Sequence, residues 1–231
     1  MFLTEIILPY ETAAKRGFET PWHWHAGLWE CFPECKDRPR PTPEAQQFLS
    51  RLDQVECGHR VILLSAARPS RPSWCPEPGW RCRTIPDSFF GHVRYEFSLI
   101  ANPTVTRKNP QKETIRRADG AVLKNRSSVR KPIFEPVELR CWLDRQADRL
   151  GFVVESIREV GGIRILPRLL FAKEAARDDS PQAVVLHRVR FDGVLRITDP
   201  VRFAAEWPKG IGRGRAFGNG FLLITPVTAQ P

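Results

Sequence analysis

The sequence predicts an α+β fold made of two tandem β-α-β-β-α-β units of the ferredoxin-like kind, residues 1–88 and 92–231. Three observations lead there. The second half reads strand, helix, strands, short helix, strand, which is the split β-α-β order. The first half opens as strand, helix and further strand. A chain of 231 residues holds two domains, each able to bury a modest core.

Phe2 to Pro9 is a short apolar run suited to a buried first strand, and a polar connection follows it. Thr20 can cap a helix with Pro21 at its first position. Along that helix Trp24, Leu28, Trp29 and Phe32 form a stripe, and His25 lies one step of about 100° from Trp24, at the stripe's margin. Phe48, Leu52 and Val55 recur at helical spacing, so a second amphipathic helix is expected over Pro43 to Val55. His59 to Ser65 is a strand. Arg68 to Gly79 is too rich in proline for regular structure, and a short strand is expected around Trp80 to Ile85.

In the second half, Val93, Tyr95, Phe97 and Leu99 alternate with Arg94, Glu96 and Ser98, the pattern of a half-buried strand over His92 to Ala101. Glu135 to Leu150 reads as a helix with Leu139, Trp142, Leu143, Ala147 and Leu150 on one face and Gly151 ending it. Strands are expected over Phe152–Ile157, Gly162–Ala172 and Val184–Thr198, the last bent or bulged at Asp192-Gly193. Asp199 caps a short helix through Trp207, and Phe221 to Val227 is the closing strand.

Composition narrows the function classes. Hydrophobic content of 42%, with seven Trp and 14 Phe, excludes a disordered chain. The 36 Lys and Arg against 26 acids give a net charge of +10, and an Arg-rich surface points to phosphate-bearing partners, the alternative being a merely soluble basic protein. The six cysteines form no CxxC pair, and neither a signal peptide nor a membrane-length apolar run is found, so the chain reads as cytoplasmic with reduced thiols. A zinc site from Cys31, Cys35 and nearby histidines would have atypical spacing, and neither a metal nor a cofactor is expected.

Lys209 to Gly220 is the stretch around which the rest is organised. Gly210, Gly212, Gly214, Gly218 and Gly220 share twelve positions with the cations Lys209, Arg213 and Arg215. Glycine allows positive φ and close approach, so successive N–H groups can form an anion nest, with a phosphate as its guest. The loop follows a helix and opens a strand, the reverse of a Rossmann or Walker loop. It reads either as a plain helix-to-strand turn or as a loop pinned on a sheet edge facing a nucleic-acid backbone. Between Asn102 and Pro132, cations including Arg107, Lys108, Arg116, Arg117, Arg130 and Lys131 face only Glu113 and Asp119. That run is either a solvated loop or a phosphate-tracking arm.

Four segments resemble a known family. Gly210 to Pro226 (GIGRGRAFGNGFLLITP), His25 to Pro33 (HAGLWECFP), Leu99 to Pro103 (LIANP) and Phe191 to Leu195 (FDGVL) are similar, in order and spacing, to motifs of the CRISPR-associated repeat-processing endoribonucleases of the CasE type. The resemblance covers nearly the whole chain. It implies tandem ferredoxin-like domains that bind the repeat hairpin of a precursor CRISPR RNA and cut at its 3′ base without a metal. It further implies a 2′,3′-cyclic phosphate product and a protein that stays on the mature CRISPR RNA among the other Cascade subunits. The family histidine falls on His25. The family often has a tyrosine three positions earlier; here it is Trp22, which cannot exchange a proton usefully, leaving His23 or a cation as the second group.

The chemistry is consistent with that implication. A ribose 2′-OH beside the scissile phosphate is a built-in nucleophile, so the protein need supply only a proton-transfer group, in-line positioning and cations. Histidine titrates near neutrality. Of five histidines His25 has the best context, whereas His59, His92 and His187 lie in strand-like sequence and read as structural. Two rivals remain: a non-catalytic subunit that binds the guide-RNA hairpin, and a generic single-strand binder with exposed aromatics.

Overall fold

The computed structural model describes residues 1–35, 48–108, 114–116, 122–125, 128–165, 169–170, 183–184 and 186–227. In chain order the elements of the first half are β1 (Phe2–Leu8), α1 (Tyr10–Lys15), α2 (Pro21–Leu28), β2 (Phe48–Val55), β3 (Gly58–Ser65) and β4 (Trp80–Thr84). The second half has β5 (Arg94–Ala101), β6 (Thr104–Lys108), β7 (Thr114–Arg116), β8 (Val122–Asn125), β9 (Ser128–Pro132), α3 (Pro136–Leu150) and β10 (Phe152–Ile165). It closes with β11 (Leu169–Leu170), β12 (Ala183–Val184), β13 (His187–Ile197), α4 (Pro200–Glu206) and β14 (Leu222–Pro226).

Two four-stranded antiparallel sheets carry the fold, ordered β2-β3-β1-β4 and β10-β13-β5-β14. Counting the main strands of each half in sequence, both orders are 2-3-1-4, the ferredoxin-like arrangement in which each split β-α-β leaves room for a strand between its two ends. In the first half the crossing from β3 to β4 is an irregular segment with one 3-10 turn at Glu77–Gly79 in place of a helix. The prolines of that stretch remove backbone donors and fix φ, which forbids one.

Residues 48–55 form a strand, not the expected helix. Phe48, Leu49, Ser50 and Arg51 are all buried, because β2 is covered on both faces. Apolar residues on both sides of a strand imitate a helical stripe, and spacing alone cannot separate the two. The residues 43–47 of that expectation lie outside those described. A tight turn at Glu56-Cys57 joins β2 to β3, a turn sequence without the usual Asn-Gly signal. The connection after β1 holds the short helix α1.

The strand expected to break after Ile157 runs on to Ile165. The irregularity expected at Asp192-Gly193 sits on the partner strand: the β10–β13 register shifts between Val154 and Ser156 and again between Ile157 and Glu159, opposite Gly193. A Cβ on Gly193 would come within 2.0 Å of the Ser156 carbonyl oxygen, so the glycine admits the bulge its neighbour makes. The basic stretch is not an open loop in its described parts. It holds two antiparallel ladders, β6 with β9 and β7 with β8.

One cluster of buried side chains fills the space between α3, α4 and the second sheet, and it takes in Leu49, Ile62 and Leu64 of the first sheet. The other lies under α1 and α2, around Ile6, Leu8, Trp24, Leu28 and Phe48. The halves are also joined by Arg51, 3% exposed, which donates to Asp53 on its own strand and to Ser98 Oγ of β5 at 2.8 Å.

Candidate active site

The Thr20 side chain accepts from the His23 N–H (3.3 Å) and Pro21 supplies the first helical position, so α2 starts where its sequence dictates. Trp24 and Leu28 anchor the helix in the core. His25, beside that anchored stripe, is half-buried in an aromatic box, with ring centroids of Trp22, Trp29 and Phe48 at 6.0, 6.0 and 5.3 Å. The indole N–H of Trp29, one helical turn on, donates to His25 Nε2 at 3.2 Å. An indole nitrogen can only donate, so Nε2 carries the lone pair and the imidazole proton is assigned to Nδ1. Burial lowers the imidazole pKa to about 4, which leaves it neutral at pH 7.

The glycine-rich loop closes over this helix. Ile211 N–H donates to the Gly220 carbonyl (2.7 Å) and Gly220 N–H to Ile100 O of β5 (2.6 Å), so the loop is tied beside the edge strand β14. Gly220 has φ +80°, and a Cβ there would sit 2.3 Å from the Ile211 carbonyl oxygen; only glycine fits. The N–H groups of Gly210, Ile211, Phe217, Gly218, Asn219 and Gly220 all donate to backbone carbonyls of the protein. A ligand therefore meets those glycines as shape, not as amide donors. At its tip Phe217 lies 6.4 Å from Trp22, which is 45% exposed. The cleft beneath is lined by His25 and Leu28 of α2, Ser50 and Leu52 of β2, Gly218 of the loop and Arg188 of β13.

The structure brings His25, Trp22 and the tip of the glycine loop together. His23 is exposed on α2, and no other described residue of the cleft lining is a histidine. Among the loop cations, Lys209 is paired with Glu206 at 2.6 Å, Arg215 donates to the Lys209 carbonyl, and Arg213 is exposed. The arm cations Arg107, Lys108, Arg130 and Lys131 lie on the β6–β9 ladder, away from the cleft lining. The pleat separates them: Arg107 and Lys131 share one face, Lys108 and Arg130 the other. Arg107 reaches Glu138 of α3 at 3.4 Å, which marks its face as the one toward that helix. Arg116 is the last residue of β7, and Arg117 lies outside the described residues.

His59 packs against Tyr10 and Trp24, and His187 against Phe134; burial lowers the pKa of both, as for structural histidines. Among the described residues, no three His, Cys, Asp or Glu side chains come together as a metal-ligating group. Two residues of the site escape reading from sequence. Trp29 is named there only within the helical stripe and the segment His25 to Pro33, with no role of its own, and Arg188 sits in a strand with no local signal.

Tandem ferredoxin-like domains with a histidine cleft roofed by a glycine-rich loop define the class of protein. A profile described as CRISPR associated protein matches residues 1–226, and the chain belongs to that family. The CRISPR-associated endoribonuclease Cse3 of Thermus thermophilus is 24% identical over 234 residues, covering 98% of this chain and 100% of the relative. The Cascade subunit CasE of Escherichia coli (strain K12) is 24% identical over 229 residues, with the same coverage. A solved structure of Thermus thermophilus Cse3 bound to an RNA representing a pre-cleavage complex has a TM-score of 0.68 at 22% identity, covering 97% of this chain and 98% of that one, and shares the fold.

Proposed function

We propose that this protein is an endoribonuclease that cuts precursor CRISPR RNA at the 3′ base of its repeat hairpin and stays on the mature RNA as a Cascade subunit. The observation that carries the reading is the placement of His25: a neutral imidazole in a cleft where α2 of one half meets the glycine loop of the other. The 24%-identical relatives named as an endoribonuclease and as a Cascade subunit support it along the whole chain.

In this reading the ribose 2′-OH attacks the adjacent phosphorus, and His25 takes its proton at Nε2 as the hydroxyl replaces the Trp29 N–H. The products are a 2′,3′-cyclic phosphate and a 5′-OH. Since the nucleophile is part of the substrate, the step requires no metal-activated water. Trp22 does no proton transfer; its exposed ring supplies a stacking surface for a base beside the scissile phosphate. His23 is the reserve proton carrier if His25 is not the one. The first unit, 1–88, carries the catalytic histidine, and the second, 92–231, carries the loop and arm that hold RNA.

The RNA contacts are assigned to Lys108 and Arg130 on one face of the β6–β9 ladder, to Arg107 and Lys131 on its other face, to Arg116 and Arg117, and to Lys209, Arg213 and Arg215. Gly210, Gly212, Gly214, Gly218 and Gly220 shape the surface that lets the RNA backbone approach. Free cysteines such as the buried Cys31 and Cys75 suit the cytoplasm, and among the described residues no helix is long and apolar enough to cross a membrane.

A second reading, a hairpin-binding subunit without activity, is favoured by two features: Trp22 in place of a tyrosine, and the Trp29 bond that occupies Nε2. Labelled repeat RNA incubated with the purified protein and run on a gel separates them. Discrete cleavage at the hairpin base is the expected result; tight binding without cleavage would establish the second reading.

A further inference from the structure

The 2′-OH reaction requires more than a base. As the O2′–P bond forms and the P–O5′ bond breaks, the 2′-OH proton passes to His25, the 5′-oxygen leaves and takes a proton from water, and the phosphorus passes through a phosphorane with added negative charge. A cation held at that point, before the reaction begins, is the largest electrostatic aid the protein can offer. Among the described cations singled out by the sequence, Lys209, Arg213, Arg215, Arg107, Lys108, Arg130 and Lys131 are not in the cleft lining.

The described lining of the cleft nevertheless carries one formal charge. Of the described side chains that line it, Arg188 is the only permanently charged one and His25 the only other ionisable one, with no carboxylate between them. Arg188 is half-buried and fixed: its Nε–H donates to Asn219 Oδ1 at 2.9 Å. Asn219 is itself fully buried, and its Nδ2 donates to the Gly214 carbonyl at 3.2 Å. The Gly-Asn-Gly segment of the loop thus does a job of its own, since its Asn219 holds an arginine from β13 that lines the same cleft as His25 of α2. A guanidinium carries five N–H donors in a planar fork whose geometry matches the oxygens of a phosphate.

We propose that Arg188 is a catalytic residue that contacts the non-bridging oxygens of the scissile phosphate and stabilises the phosphorane, with Asn219 as its positioning residue. This rests on the endoribonuclease reading above. It makes the site composite: the proton carrier comes from the first half of the chain and the charge stabiliser from the second.

The test is single-turnover cleavage of the repeat hairpin RNA at saturating protein, with affinity measured in parallel. Arg188→Ala should cut about 10²–10³ times more slowly, the loss typical of one removed oxyanion donor, while affinity changes far less. Added guanidinium should restore part of the rate to Arg188→Ala and none to His25→Ala. Arg188→Lys keeps charge without the fork and should fall between Arg188→Ala and the intact protein, which guards against a variant that merely folds poorly. Asn219→Ala should lower the rate in the same direction. If the intact protein cuts and Arg188→Ala cuts equally fast, Arg188 has no catalytic role although the endoribonuclease reading stands. A loss for Arg188→Ala that disappears at saturation, without guanidinium rescue, would make Arg188 a binding contact only and overturn the proposal. No cleavage by the intact protein would remove the reading beneath it.

Discussion

His25 combines a half-buried ring, a donated bond from Trp29 and a pKa lowered to about 4, and these set its pH behaviour. The base form exists above the pKa, so kcat/KM, which reports the free protein, should be flat from about pH 8 to about pH 6 and fall only as pH approaches 4. A fall centred near pH 7 would contradict this environment. The same shift is linked to stability. The unfolded chain takes up the proton first as pH drops, so the contribution is complete above about 6.5 and is lost toward 4. His59 and His187 are lowered by burial in the same direction. The Tm should therefore decline across that window, and His25→Phe should decline less steeply. At Trp22, stacking predicts that Trp22→Phe retains most of the cleavage rate while Trp22→Ala loses about 1–3 kcal/mol of RNA binding; equal behaviour of the two variants would remove the stacking role.

Elements position these residues, and β2 does most of the joining. Arg51 is buried between Asp53 and Ser98, so Arg51→Ala should cost about 1–3 kcal/mol of stability, measured by denaturant unfolding, because both partners lose a donor. On the arm, the strand period predicts that neutralising Lys108 and Arg130 together flattens the salt dependence of RNA binding by about 0.7–0.9 per lost contact, whereas Arg107→Gln, on the face toward Glu138, changes it less. Two elements, α3 and β2, differ in how much of them the sequence discloses. The helix over Pro136–Leu150 was legible because one face is apolar, one is wet and Gly151 stops it. β2 was not, since covering both faces erases the alternation that identifies a strand. In the site, His25 was singled out by its family-like segment and by its place at the edge of an apolar stripe, and the structure sets it in the cleft lining. Arg188 was not singled out, because it comes to line one cleft with His25 only once β13, the loop and α2 have packed, and no local pattern records that.

Across the molecule as a whole, residues of both halves line a cleft between α2, β2 and the glycine loop, and the second half carries the basic β6–β9 ladder. A stem of A-form RNA hides its base edges in a deep groove, so shape and phosphates carry much of the recognition. Disrupting the hairpin should weaken binding more than most changes of its base pairs that keep it paired. A chelator should leave cleavage unchanged; activity abolished by EDTA and restored by magnesium would contradict the 2′-OH mechanism. The decisive measurement of proton transfer by His25 uses a repeat hairpin carrying a single 2′-deoxy nucleotide just 5′ of the scissile phosphate, compared with the all-ribose RNA in the intact protein and in His25→Ala. Affinity should be nearly equal in all four combinations. Cleavage should fall about 10²–10⁴ for His25→Ala, at least as far for the deoxy substrate, and little further when the two are combined, since both remove one step. Cleavage of the deoxy RNA at the normal rate would mean that water is the nucleophile, and the role given to His25 would have to be abandoned.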